Sequence, residues 1–271
     1  MANKEVERMI KLTASQNPLI KEVRMLKNKS SRQKKGLYFI EGTRFVSEAL
    51  KYSNDIRYLM VSETFSNSEG MYEFINASCN IYQVTDSLFQ ELSDTQTPQG
   101  ILAVIGIKDN RLEEAELTEG LLVILDGIKD PGNMGTIIRT ADAAGCSGVI
   151  VPDGCVDIYN PKVLRSTMGS IFHLPIYHCT GITQALDAVL YSGFKLCASH
   201  LEGAVSIYNV DLSGNTALVI GSEAEGICPE TVKKAELLVK IPMEGSAESL
   251  NASVAAGIMI FEAMRQRLAS R

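Results

Sequence analysis

Residues 121–151 read LLVILDGIKDPGNMGTIIRTADAAGCSGVIV, and the fold is decided there. Residues 121–125 are an unbroken apolar run and 148–151 form a second; both are short and aliphatic, so they read as strands. Between them Met134, Ile137, Ile138, Ala141 and Ala144 recur every three or four residues, which puts them on one face of a helix over 133–144. Strand, helix, strand, with both strands apolar throughout, predicts a parallel βαβ unit covered on both faces. The alternation continues toward the C-terminus, with strands expected at 194–198, 217–220 and 237–241 and helices at 161–169, 183–190 and 250–268. The expected class is α/β with a mostly parallel sheet. In such sheets ligands bind beyond the carboxyl ends of the strands.

The N-terminal half alternates as well. Strands are expected at 37–40, 56–61, 81–84 and 101–107, with helical pieces at 45–50 and 88–92, which makes a second, smaller α/β domain. Residues 108–120, KDNRLEEAELTEG, are polar and acidic and suit a linker. The expected division is therefore 1–107, a linker at 108–120, and 121–271. A chain of 271 residues with 45% hydrophobic and 21% charged residues is not a disordered or fibrous composition. Its apolar runs fall far short of the roughly 20 residues that cross a bilayer. Residues 1–15 carry Lys4, Glu5, Glu7, Arg8 and Lys11 with no apolar stretch, so a cytoplasmic protein is expected. Cys79, Cys146, Cys155, Cys179, Cys197 and Cys228 are dispersed with no C-x-x-C pair and read as reduced. Cys179 with His173 and His178 lacks a second ligand cluster, so no metal is expected.

Charge is segregated along the chain. Residues 1–60 hold 13 Lys or Arg against 6 Asp or Glu, whereas the whole chain has 26 against 32. The remainder is therefore 13 against 26, and the basic charge lies at one end. Its densest run includes Lys21, Arg24, Lys27, Lys29, Arg32, Lys34 and Lys35, with Ile20, Val23 and Leu26 at helical spacing beneath it. A solvated helix face is one reading of such a run. The acidic remainder favours an arm that binds a polyanion, with Lys21, Arg24, Lys27, Arg32, Lys34, Lys35 and Arg44 as candidate contacts.

Three loops carry the chemistry. The first, residues 126–145, places Asn133, Thr136, Arg139 and Thr140 in a polar stripe beside the apolar helix face; Asn133 as an N-cap and Arg139 as a surface cation is the plainer alternative. The second, 218–227, runs an apolar strand into Gly221 and Gly226, where a backbone without side chains can approach a ligand. The third, 241–253, leads into a helix whose Leu250, Val254, Ile258, Phe261 and Met264 are the expected buried stripe, with Ser249 and Asn251 as candidate caps. G-x-G-x-x-G after a strand, G-x-x-x-x-G-K-[ST], G-x-S-x-G and H-E-x-x-H are all absent, so dinucleotide, P-loop, serine-hydrolase and zincin readings lack their residues.

Taken in order, these loops resemble the SpoU or TrmH type of RNA ribose 2′-O-methyltransferase of the SPOUT superfamily. The first motif is similar to residues 133–145, the second to 218–227 and the third to 241–262. Residues 1–106 look like that family's substrate-binding domain, whose fold is related to a ribosomal protein. The resemblance implies a trefoil knot, a homodimer, S-adenosyl-L-methionine as cofactor, and structured RNA as substrate, ribosomal RNA ahead of transfer RNA. It further implies that Ser199, Gly221, Gly226, Ile241, Met243, Leu250 and Asn251 hold the cofactor, and that Arg139, Asn133, Glu223, Ser249 and Asn251 form the catalytic set. A catalytically silent, ribosome-associated RNA-binding factor is the alternative of another class.

Overall fold

The computed structural model describes residues 9–53, 55–200, 205–222 and 224–270. The chain divides into two compact units, one of residues 1–108 with 159–164, the other of residues 109–158 with 165–271. The first contains β1 (Ile10–Leu12), α1 (Pro18–Leu26), α2 (Lys29–Lys35), β2 (Leu37–Glu41), α3 (Thr43–Tyr52), β3 (Ile56–Ser62), α4 (Glu63–Ser66), β4 (Asn80–Val84), α5 (Asp86–Leu92) and β5 (Ile101–Gly106). Its sheet runs β1-β4-β3-β5-β2, parallel from β1 to β3 and antiparallel through β5 to β2. Ile20, Val23 and Leu26 of α1 are fully buried and join Phe39, Met60, Phe89 and Leu102 in one core.

The basic run is two helices, not one. Asn17 caps α1 by accepting from the Leu19 amide at 2.9 Å, and Asn28, in extended conformation, starts α2. Between them Arg32 turns back and donates to the carbonyls of Leu26 and Lys27 at 2.8 and 3.0 Å, supplying acceptors at the end of α1 with the donors they otherwise lack. Arg32 is only 3% exposed, so it is corrected from an RNA contact to a structural cap. Arg24 pairs with Glu91 at 2.7 Å, Lys27 donates to the Glu91 and Ser93 carbonyls at 3.0 and 2.8 Å, and Lys35 pairs with Glu22 at 2.9 Å. Lys21, Lys29, Lys34 and Arg44 are exposed and have no side-chain partner among the described residues.

The second unit contains β6 (Leu121–Asp126), α6 (Pro131–Ala143), β7 (Gly148–Pro152), α7 (Pro161–Thr167), β8 (Ile176–Cys179), α8 (Ile182–Tyr191), β9 (Lys195–Ser199), β10 (Val205–Ser206), β11 (Thr216–Gly221), α9 (Pro229–Lys234), β12 (Leu237–Lys240) and α10 (Ala252–Ala269); α7 is shared between the units. The strand order is β10-β12-β9-β11-β6-β7-β8, and every neighbouring pair is parallel. Every residue of β6, β7 and β11 is buried, which explains why their sequences are continuous apolar runs. From β6 the chain steps outward to β7 and β8, then returns to the other side with β9 and inserts β11 between β9 and β6. No helix among the described residues is long and apolar enough to cross a membrane.

Helix α10 corrects the expected stripe. Its buried residues are Ala252, Ala256, Met259, Ile260, Glu262 and Ala263, while Val254 is 50% and Phe261 43% exposed. The helix packs against α6 and β11, close enough that a Cβ added at Gly257 would lie 3.9 Å from Thr140 Cγ2. At this close approach Ala252, Ala256 and Ala263 are buried along with Met259 and Ile260, while Val254 and Phe261 face outward.

Candidate functional site

The carboxyl ends of β9, β11 and β12 open onto one cleft of about 430 Å³, within the size range of small-molecule sites. Ser199 and His200 reach it from β9, Gly221 and Ser222 from β11, and Ile241 from the end of β12. Gly226, Met243, Ser249 and Leu250 complete it from the two following loops, and Met259 of α10 closes the base. Six of the seven residues expected to hold a cofactor thus meet at one cavity. Asn251 does not line it. Instead it caps α10, its Oδ1 accepting from the Ser253 and Val254 amides at 3.0 and 3.3 Å.

The cleft suits a ligand with an apolar body and polar edges. Ile220, Val239, Leu250 and Met259 supply apolar walls, and Ser199, Ser222 and Ser249 supply hydroxyl-bearing positions. Among the described residues, the peptide groups of Met243, Ser249 and Leu250, which line the cleft, make no hydrogen bond within the protein, so they remain for a ligand.

Gly221 works differently from the sequence expectation. A Cβ built on it would lie 2.3 Å from the Gly226 carbonyl carbon and 2.5 Å from the Ile227 nitrogen. The glycine therefore makes room for the loop's own backbone, in addition to lining the cleft. That loop is closed by the reciprocal pair Ser222 N to Gly226 O and Gly226 N to Ser222 O, both 3.0 Å, and Gly226 takes φ 67°, a conformation glycine adopts without strain. Asp126, at the end of β6, holds the far side of the loop; sequence reading missed it.

Asn133 is not an N-cap. Asp130 caps α6, its Oδ1 accepting from the Asn133 amide at 2.8 Å, and Asn133 sits buried in the first turn. Its Oδ1 accepts from Asn251 Nδ2 at 3.0 Å, so one hydrogen bond joins the N-terminal ends of α6 and α10 beside the cleft. Arg139 is exposed on α6, about 9 Å along the helix from Asn133 at 1.5 Å per residue. It makes no ion pair among the described residues and does not line the cleft. Ser249 is exposed at the rim; Glu223 lies outside the described residues.

Thiol chemistry is disfavoured here. Burial raises all six cysteines, pushing Cys179 up to about 11 and Cys197 up to about 12, so they stay protonated and poorly nucleophilic.

Residues 120–261 match the SpoU rRNA Methylase family, and residues 17–103 match the MRM3-like substrate binding domain. The chain belongs to the SpoU rRNA methylase family. Among SpoU relatives it is 32% identical over 254 residues to the 23S rRNA (guanosine(2553)-2′-O)-methyltransferase RlmP of Bacillus subtilis, covering 93% of this chain and 98% of that one. The SpoU methyltransferase AviRb of Streptomyces viridochromogenes, solved in complex with AdoMet, superposes with a TM-score of 0.86 at 30% identity, covering 94% and 100% of the two chains. An AdoMet-bound rRNA methyltransferase from Sinorhizobium meliloti gives a TM-score of 0.85 at 31% identity over 95% and 98%.

Proposed function

We propose that this SpoU protein methylates a ribose 2′-hydroxyl of ribosomal RNA with S-adenosylmethionine. The observation that carries the reading is the cleft at the ends of β9, β11 and β12, built from the second and third family segments and fastened to the first by the Asn133–Asn251 hydrogen bond. Bound there, the cofactor supplies a methyl already activated by its sulfonium. The protein's task is to hold the attacking oxygen in line with that methyl, an orientation effect worth about 7–11 kcal/mol, and to stabilise charge on the oxygen as its proton passes to water. Arg139 suits the second role through bidentate contact with the target phosphate and attraction for the developing alkoxide. Asn133, Asn251 and Ser249 orient the groups around it, and Glu223 is assigned to the same set. Methyl transfer from labelled S-adenosylmethionine to ribosomal and transfer RNA, followed by mapping of the modified ribose, tests this. Label confined to transfer RNA would refute the ribosomal assignment; no transfer to either would favour a silent RNA-binding factor.

RNA capture falls to the first unit and methyl transfer to the second; residues 109–120, expected as a linker, belong to the second unit, where Leu112 is in the core. Within the first part we assign phosphate contacts to Lys21, Lys29, Lys34 and Arg44, because their charges are not consumed internally. Replacing these four with glutamine should flatten the dependence of log affinity on log salt by about 0.7–0.9 for each phosphate no longer neutralised. Arg32→Ala should instead cost about 2–3 kcal/mol of stability, by leaving the Leu26 and Lys27 carbonyls without their donor. Equal salt slopes for wild type and the quadruple variant would remove this surface from RNA binding.

Val254, Phe261 and Leu268, spaced by seven, expose apolar surface along one face of α10. We assign that face to a second copy of the chain. Phe261→Glu should convert a dimer to monomer in sedimentation equilibrium, and an unchanged mass would overturn the assignment. The trefoil knot belongs to the same proposal; β11 inserted between β9 and β6 and α10 packed on α6 support it. A cytoplasmic location follows from the same reading, since ribosomal RNA is the substrate it assigns.

A further inference from the structure

We infer that Asp126 is a positioning residue for the cofactor loop, a role that rests on reading the cleft as the S-adenosylmethionine site. In the β6–β11 ladder Asp126 lies opposite Gly221, the last residue before the loop that supplies Ser222, Gly226 and Ile227 to the cleft. Its side chain then crosses to the other end of that loop. One carboxylate oxygen, Oδ2, accepts from the Cys228 amide at 2.8 Å and from the Thr231 hydroxyl at 2.9 Å. Asp126 is 9% exposed, and donors that lose their acceptor in such a place bear the full cost of their lost solvation.

Ser222 and Ile227, the two ends of the loop, are therefore each held next to β6. At the start the fixing is strand pairing; at the end it is Asp126. The Ser222–Gly226 hydrogen bonds set the loop's internal shape, whereas Asp126 sets where its far end lies relative to the sheet.

Asp126→Ala should weaken S-adenosylmethionine binding by about 10- to 100-fold, since two buried donors lose their acceptor. It should raise the KM for the cofactor while leaving kcat at saturating cofactor and RNA affinity within a few-fold. Asp126→Asn keeps an oxygen for both donors and should restore most of the affinity; Thr231→Val, which removes one donor, should fall between. Amide hydrogen exchange of the full chain without cofactor gives a second readout: in Asp126→Ala, exchange should accelerate in residues 222–228 and not in β6, β7 or β11. Calorimetric affinity equal to wild type together with unchanged loop exchange would overturn the role. If Asp126→Ala does not fold, unaltered cofactor affinity and loop exchange in Thr231→Val would overturn it. Wild type that binds no S-adenosylmethionine refutes the functional reading instead, and the exchange comparison still decides whether Asp126 places the loop.

Discussion

Replacing Arg139 with alanine is expected to lower methyl transfer by about 10³-fold while S-adenosylmethionine affinity stays within a few-fold of wild type. The two effects separate because the side chain is exposed on α6 and lies outside the cleft. Removing one preorganised donor to a developing oxyanion costs about 10²–10³ in rate, and loss of the phosphate clamp adds misorientation. A guanidinium holds its proton across the physiological range, so its contribution is charge and geometry rather than proton abstraction. Arg139→Lys should also be slow, because a point charge does not reproduce the planar fork. Single-turnover transfer with labelled cofactor, paired with calorimetry, measures both quantities. Wild-type turnover in the lysine variant would refute the clamp.

Gly221→Val is expected to abolish cofactor binding by dismantling the loop. With 2.3 Å between the added Cβ and the Gly226 carbonyl carbon, the loop must move before any ligand arrives. Overpacking of this kind costs about 1–3 kcal/mol and occasionally more, a fall of roughly 2–12 °C in melting temperature at about 2–4 °C per kcal/mol. Gly221→Ala sharpens the test, because the Cβ alone makes the clash. If the glycine served the ligand only, the alanine protein without cofactor would melt like wild type. Loop crowding predicts that it melts lower, and also binds S-adenosylmethionine at least about 100-fold more weakly. An unchanged midpoint with unchanged affinity would refute the crowding argument.

Much of the second unit was legible because β6, β7 and β11 are buried on both faces, and only continuous apolar runs satisfy that environment. The edge strand β8 was not: Pro175 precedes it, and Tyr177 and His178 are half-buried, so its pattern has no clear period. The α10 stripe was read on the wrong side because periodicity weights large residues, whereas the buried face mixes Ala252, Ala256 and Ala263 with Met259 and Ile260. The basic run was overread for another reason. Arg24 and Lys27 meet acceptors 67 and 64 residues away, and no local spacing reveals such partners. Asp126 escaped notice likewise, since one carboxylate at a strand end belongs to no pattern. The residues of the cleft were legible only through their order along the chain.

The strand order carries a consequence for how the protein is made. Gly120 donates its amide to Asn215, 95 residues later, at the start of the β6–β11 ladder. At roughly 5–20 residues per second, about 5–19 s of translation separates the two strands. Meanwhile β7 can cover one edge of β6, but the other waits, with Leu121–Asp126 apolar at nearly every position. Exposed strand edges of this composition are where chains stick to one another. The long-range pairing that builds the cleft also makes nascent and refolding chains sensitive to concentration, so yield should rise on dilution or with a chaperone that covers this edge.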